Sequence, residues 1–167
     1  MRTPLFFLLT VGLLWMLNTP LKAATGKQTI PAEKQTTPDF TVALQFINDY
    51  AAFCEPGSKQ KLSDKNWIQH NPLLTKNFKD RYKAILDSAK LIDPELGLGF
   101  DPIFDAQDFP DKGFSILKTD APGNYVTVVG TDWKEFELVL KLAFINNKWL
   151  VDGAGIINIP KDKQAKR

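Results

Sequence analysis

Apolar positions recur every three or four residues in the first half of the chain and every second residue in its last third. Phe40, Ala43, Leu44, Phe46, Ile47, Tyr50, Ala51 and Cys54 follow the first rule, which sets them along one face of a helix. Thr37 is placed to cap that helix with Pro38 at its first position, and Glu55-Pro56-Gly57 to end it. A second helix is predicted from Thr75 to about Lys90. It buries Phe78, Tyr82, Ile85, Leu86 and Ala89, and leaves Lys79, Asp80, Arg81, Lys83 and Asp87 in water. The stretch SKQKLSDKNWIQHNP between them reads as a polar connector anchored only by Trp67-Ile68.

From Phe114 the period is two, and strands are predicted over 114–118, 125–130, 135–145 and 149–152. The third is the clearest: Phe136, Leu138, Leu140, Leu142 and Phe144 share one face, and Glu137, Val139, Lys141 and Ala143 the other. Asn146-Asn147 suits a tight hairpin turn because Asn tolerates positive φ. Gly153 and Gly155 permit a bulge or bend before Ile156-Ile157-Asn158-Ile159. The middle, Asp93 to Gly113, is rich in Pro, Gly and Asp, with a short helical turn predicted from Asp101-Pro102 through Gln107. Helices first and an antiparallel meander after them make an α+β domain, with helices packed on one face of a curved sheet.

The front of the chain has a different character. Met1-Arg2 is a short positive start, Leu5 to Leu17 is a 13-residue apolar run, and Leu21-Lys22-Ala23 precedes a small-residue cleavage context. That order is the one a secretory signal peptide follows, and the run falls short of the roughly 20 apolar residues a spanning helix needs. The expected organisation is a signal peptide over 1–23, cleaved after Ala23, and a flexible tether over 24–37. A single α+β domain over 38–159 and a polar solvated tail over 160–167 complete it. The expected location is periplasmic or secreted, with no stable membrane span after processing.

Processing changes the charge. Removing Arg2 and Lys22 leaves 19 basic against 19 acidic residues, so the basic pI is no footprint for nucleic acid. One cysteine, Cys54, permits no internal disulfide. Twelve Phe and four Trp supply a core without one.

The run Phe100-Asp101-Pro102-Ile103-Phe104-Asp105-Ala106-Gln107-Asp108-Phe109-Pro110 resembles the DP-x-x-x-AQD-x-P signature of the DUF3828 family of exported bacterial proteins. Leu73-Leu74-Thr75 and Lys148-Trp149-Leu150-Val151-Asp152 look like the same family, so the resemblance covers about Phe40 to Ile157. It implies an envelope protein with the cone-shaped fold of nuclear transport factor 2 and its relatives. It brings no established activity and no catalytic residues. The chain departs from lipid-anchored members in having no Cys after its signal.

The acidic middle holds the candidate chemistry. In a helix, Asp101, Asp105 and Asp108 stand at i, i+4 and i+7 on roughly one face. Such a face serves a hard cation or a general base, although the spacing does not match a calcium loop. In the structural reading Asp101 caps the turn, Asp105 favours its positive end, and Gln107 and Asp108 tie down the loop. Trp67, Trp133 and Trp149, with Phe136 and Phe144, are candidates for a pocket lining or for core. His70 is the only histidine, which leaves no typical zinc site and no Ser/His or Cys/His triad without it. No cofactor motif is present: Gly97-Leu98-Gly99 lacks the rest of a phosphate loop.

The expectation is therefore a non-catalytic binding or interaction module of the envelope. Its partner is an envelope protein or small ligand, and the exposed sheet face is open to pairing as a homodimer. Two readings stand beside it: an enzyme of the same fold using Asp101, Asp105 or Asp108 as a base, and a secreted inhibitor or immunity protein.

Overall fold

Three helices precede a four-stranded antiparallel sheet in the computed structural model, which describes residues 37–57 and 63–166. The proposed signal peptide and nearly all of the tether lie outside the described residues. The elements are α1 (Thr41–Cys54), α2 (Asp64–His70), α3 (Lys76–Ile92), β1 (Phe114–Asp120), β2 (Tyr125–Gly130), β3 (Glu137–Ile145) and β4 (Lys148–Ala154). The strands lie in sequence order β1-β2-β3-β4, each paired antiparallel with the next, in an open sheet.

Helix α1 begins at Thr41, later than Thr37-Pro38 suggests. The reason is Asp39, whose Oδ1 accepts from the Thr41 N–H at 3.1 Å and the Thr41 hydroxyl at 2.6 Å. A side-chain oxygen that satisfies a free first-turn donor sets where a helix starts. The helix buries Ala43, Phe46, Ile47, Tyr50, Ala51 and Phe53 against the sheet. Helix α3 begins at Lys76, next to the predicted start at Thr75, because the Thr75 hydroxyl oxygen caps it by accepting from the Phe78 N–H at 3.0 Å. Helix α2 corrects the reading of its stretch as connector. Its two turns bury only Ile68, with Trp67 half-buried beside it.

Strand parity sorts the sheet. Val126, Val128, Leu138, Leu140, Leu142 and Val151 face the helices and are buried. Phe144 continues that parity but is 43 % exposed, because it sits at the hairpin tip beyond the helices' cover. Asn146 and Asn147 have φ of 51° and 61°, the two positive values a tight primed turn needs. The register shift in β4 falls at Asp152, one residue before the glycine expected to supply it. There the Asp152 carboxylate accepts from the Thr75 hydroxyl at 2.7 Å and the Asn77 amide at 3.1 Å, with Lys141 Nζ at 3.7 Å. The bulge thus ties β4 to the start of α3. Asn48 makes the matching tie between α1 and β1: it donates to the Phe114 carbonyl at 3.2 Å and accepts from the Phe114 N–H at 2.7 Å.

Gly155 closes β4. Its φ is +56°, and a Cβ there would stand 2.4 Å and 2.5 Å from the Ile103 and Pro102 carbonyl oxygens, so only glycine fits. Among the described residues no helix is long and apolar enough to cross a membrane.

Candidate functional site

The acidic stretch is not a helix. Asp101 and Ala106 pair as an antiparallel bridge, with the Asp101 N–H on the Ala106 carbonyl at 2.9 Å, and Asp105 between them has φ of 56°. Asp tolerates the left-handed region better than most residues, and one such residue is enough to fold the segment back on itself. Asp101, Asp105 and Asp108 therefore do not share a helical face. Asp105 is half-buried, and Gln107 and Asp108 are exposed. Gln107 does tie the loop down, as a donor: its amide reaches the Gly99 carbonyl at 3.1 Å.

Asp101 keeps the capping role expected of it and gains a second one. Its Oδ1 accepts from the Ile103 N–H at 2.7 Å and the Phe104 N–H at 2.9 Å, and its Oδ2 accepts from the Tyr50 hydroxyl at 2.5 Å. Burial raises the Asp101 carboxyl above its ordinary range, outweighing the three donors that favour its charged form. Burial, and then the Asp101 charge, also raise the Tyr50 phenol and push the Cys54 thiol up to about 12. Cys54 is thus a neutral half-buried filler, with no thiolate to offer at neutral pH. An open pocket of about 470 Å³ lies beside this group, lined by Tyr82, Leu86, Phe100, Asp101 and Pro102 with the start of α2.

The three tryptophans do not meet. Trp67 is packed with Tyr50 and Phe53, at ring distances of 5.5 Å and 5.2 Å. Trp133 stacks edge-on against Phe136 at 5.1 Å, beside Gln107 and Asp108 in an open cleft of about 350 Å³. Trp149 packs on Phe144 at 5.1 Å on the hairpin tip. Trp133 precedes β3 and Trp149 faces its far end. Most of the length of β3 lies between them, since Trp149 pairs with Phe144. His70 ends α2 in solvent, with Nδ1 2.8 Å from the Asn66 carbonyl oxygen. Among the described residues no group of three His, Cys, Asp or Glu side chains is placed to hold a metal ion.

A further concavity lies on the outer face of the sheet, away from the helices, where no site residue was expected. Tyr125, Thr127 and Val139 line it, with Lys118, Asp120 and Glu137 around them, and it encloses about 560 Å³. Residues 162–166, in the stretch expected to be a polar solvated tail, line part of this concavity, and Asp162, Lys163 and Lys166 are exposed. Lys163 Nζ stands 4.9 Å over the Tyr125 ring. The segment is held in a turn by Lys163 and Gln164 N–H groups on the Pro160 carbonyl, at 2.9 Å and 3.1 Å, and by the Gln164 amide on the Ile159 carbonyl at 2.9 Å. Thr127 and Val129 are buried although their parity turns them from the helices. Gly153 makes room for the crossing, since a Cβ there would stand 2.8 Å from the Ile159 side chain.

Comparison with protein-family models, with curated proteins and with solved structures gave no match.

Proposed function

We propose that this chain is an exported, non-catalytic binding module whose recognition surface is the outer face of the sheet. The observation that supports this most is the concavity there: Tyr125, Thr127 and Val139, ringed by charged side chains, with residues 162–166 forming part of its wall. A face that holds a peptide-like segment has the aromatic floor and charged rim that peptide recognition uses. Export rests on the positive start and short apolar run of residues 1–23. The Asp101–Pro110 motif and the order of helices before an open sheet support kinship with the DUF3828 family and the cone-shaped fold of nuclear transport factor 2.

Asp101 fits a structural role better than a catalytic one. A general base must exchange a proton with substrate, and this carboxyl is already engaged by Tyr50 and two backbone N–H groups.

The test is retention of partners from an envelope extract by the tagged chain, alongside Tyr125→Ala and a core-neutral control, Asp80→Asn. A partner held by the wild type and the control but lost from Tyr125→Ala supports the reading. Equal retention by all three proteins sinks it.

A further inference from the structure

We propose that the outer sheet face accepts a short lysine-rich peptide segment of a partner protein, and that residues 160–166 occupy that place in cis as its competitor. This rests on reading the outer face as the recognition surface, and it names the chemistry of what binds there.

Charge complementarity identifies the occupant. The sheet side of the concavity offers Asp120, Glu135 and Glu137 against one lysine, Lys118. The segment facing it offers Lys163 and Lys166 against one acid, Asp162. Tyr125 adds a π-face, over which Lys163 stands at 4.9 Å. An ammonium above a tyrosine ring with carboxylates nearby is the arrangement that recognises a lysine side chain. Val139 adds apolar surface beside Thr127 on the floor of the concavity. The segment crosses onto the face through Ile159, seated over Gly153.

The cis segment is a weak occupant by construction. Lys163 is exposed, and its hydrogen bonds in the turn run to Pro160 rather than to the sheet. What keeps it in place is tethering, since a segment joined by a short linker faces its site at an effective concentration in the millimolar range. A partner segment must overcome that advantage, so the face is closed to weak lysine-rich peptides and open to stronger ones.

The experiment measures binding of a labelled peptide, Pro160–Arg167, to the full chain, to a version ending at Pro160, and to full-length Lys163→Glu. Freed of its competitor, the shortened chain is expected to bind the peptide about tenfold more tightly than the full chain, and Lys163→Glu to follow it. A peptide with every lysine replaced by glutamate is expected not to bind. Equal affinity of the peptide for all three proteins overturns the proposal, as does no binding to any, or equal binding of the glutamate peptide. If the shortened chain does not fold, Lys163→Glu carries the same comparison. Should the lysine peptide fail while Tyr125→Ala still loses partners from extract, the face remains the recognition surface and only the chemistry of its occupant is wrong.

Discussion

The Tyr50 hydroxyl donates a 2.5 Å hydrogen bond to Oδ2 of Asp101, across 51 residues of sequence. Tyr50 is fully buried on α1, and Asp101 opens the loop that folds back on Ala106, so this one contact pins the loop to the core. Tyr50→Phe removes the donor and leaves the oxygen behind, at a cost of about 1–3 kcal/mol. Asp101→Ala, which also frees the Ile103 and Phe104 amides, is expected to cost more than Tyr50→Phe. Urea denaturation midpoints of the two variants check the order.

The same carboxyl makes a pH prediction. Its pKa in the folded chain is raised by burial above the ordinary 3.8, so the folded state binds the proton more tightly than the unfolded one. Stability from this group is present below pH 3.8 and declines as pH rises from there through the folded value. Asp101→Asn cannot ionise. Subtracting its stability profile from that of the wild type between pH 3 and 8 is expected to leave a falling difference. A rising difference contradicts the burial argument.

Cys54 is expected to react slowly. With its thiol held up to about 12, alkylation by iodoacetamide at pH 8 proceeds far more slowly in the folded chain than in urea. Equal rates in the two states count against the packing described.

Two glycines separate crowding from conformation. Gly155→Ala meets two carbonyl oxygens within 2.5 Å as well as a positive φ, and is expected to cost more than 3 kcal/mol, if it folds at all. Gly99→Ala has a positive φ of 73° but open space, and is expected to cost about 1–2 kcal/mol. Thermal midpoints of the two variants give the comparison.

Thr75 serves two partners at once, the Phe78 amide and the Asp152 carboxylate. Thr75→Val keeps the shape and loses both bonds, with an expected loss of about 2–3 kcal/mol. Thr75→Ser is expected to recover most of it. A double-mutant cycle with Asp152→Asn measures how much of the loss passes through the carboxylate.

Much of this fold was legible in local pattern. The alternation of Leu138, Leu140 and Leu142, the paired asparagines at the hairpin and the helix start near Thr75 all act within a few residues, and sequence spacing reads such distances directly. Helix α2 was hidden because its seven residues include only two apolar ones, too few to set a period. The role of Asp101 was half visible: the backbone N–H groups it accepts from lie two and three residues on, whereas Tyr50 is remote in sequence. The tail's place on the outer face was hidden for a different reason. Lys-Asp-Lys-Gln-Ala-Lys has the composition of a solvated tail, and only the crossing over Gly153 brings it to Tyr125.

Every strand pairs with its neighbour in sequence, yet α1 packs on β1, β3 and β4. During synthesis the helix therefore leaves the ribosome long before the surfaces that cover it. A nascent chain halted before Lys148 has made Phe46, Ile47 and Tyr50 but not the last strand that shelters them. Such a chain presents a sticky aromatic ridge to any holdase waiting at the tunnel exit, and completion of one hairpin at the very end withdraws it.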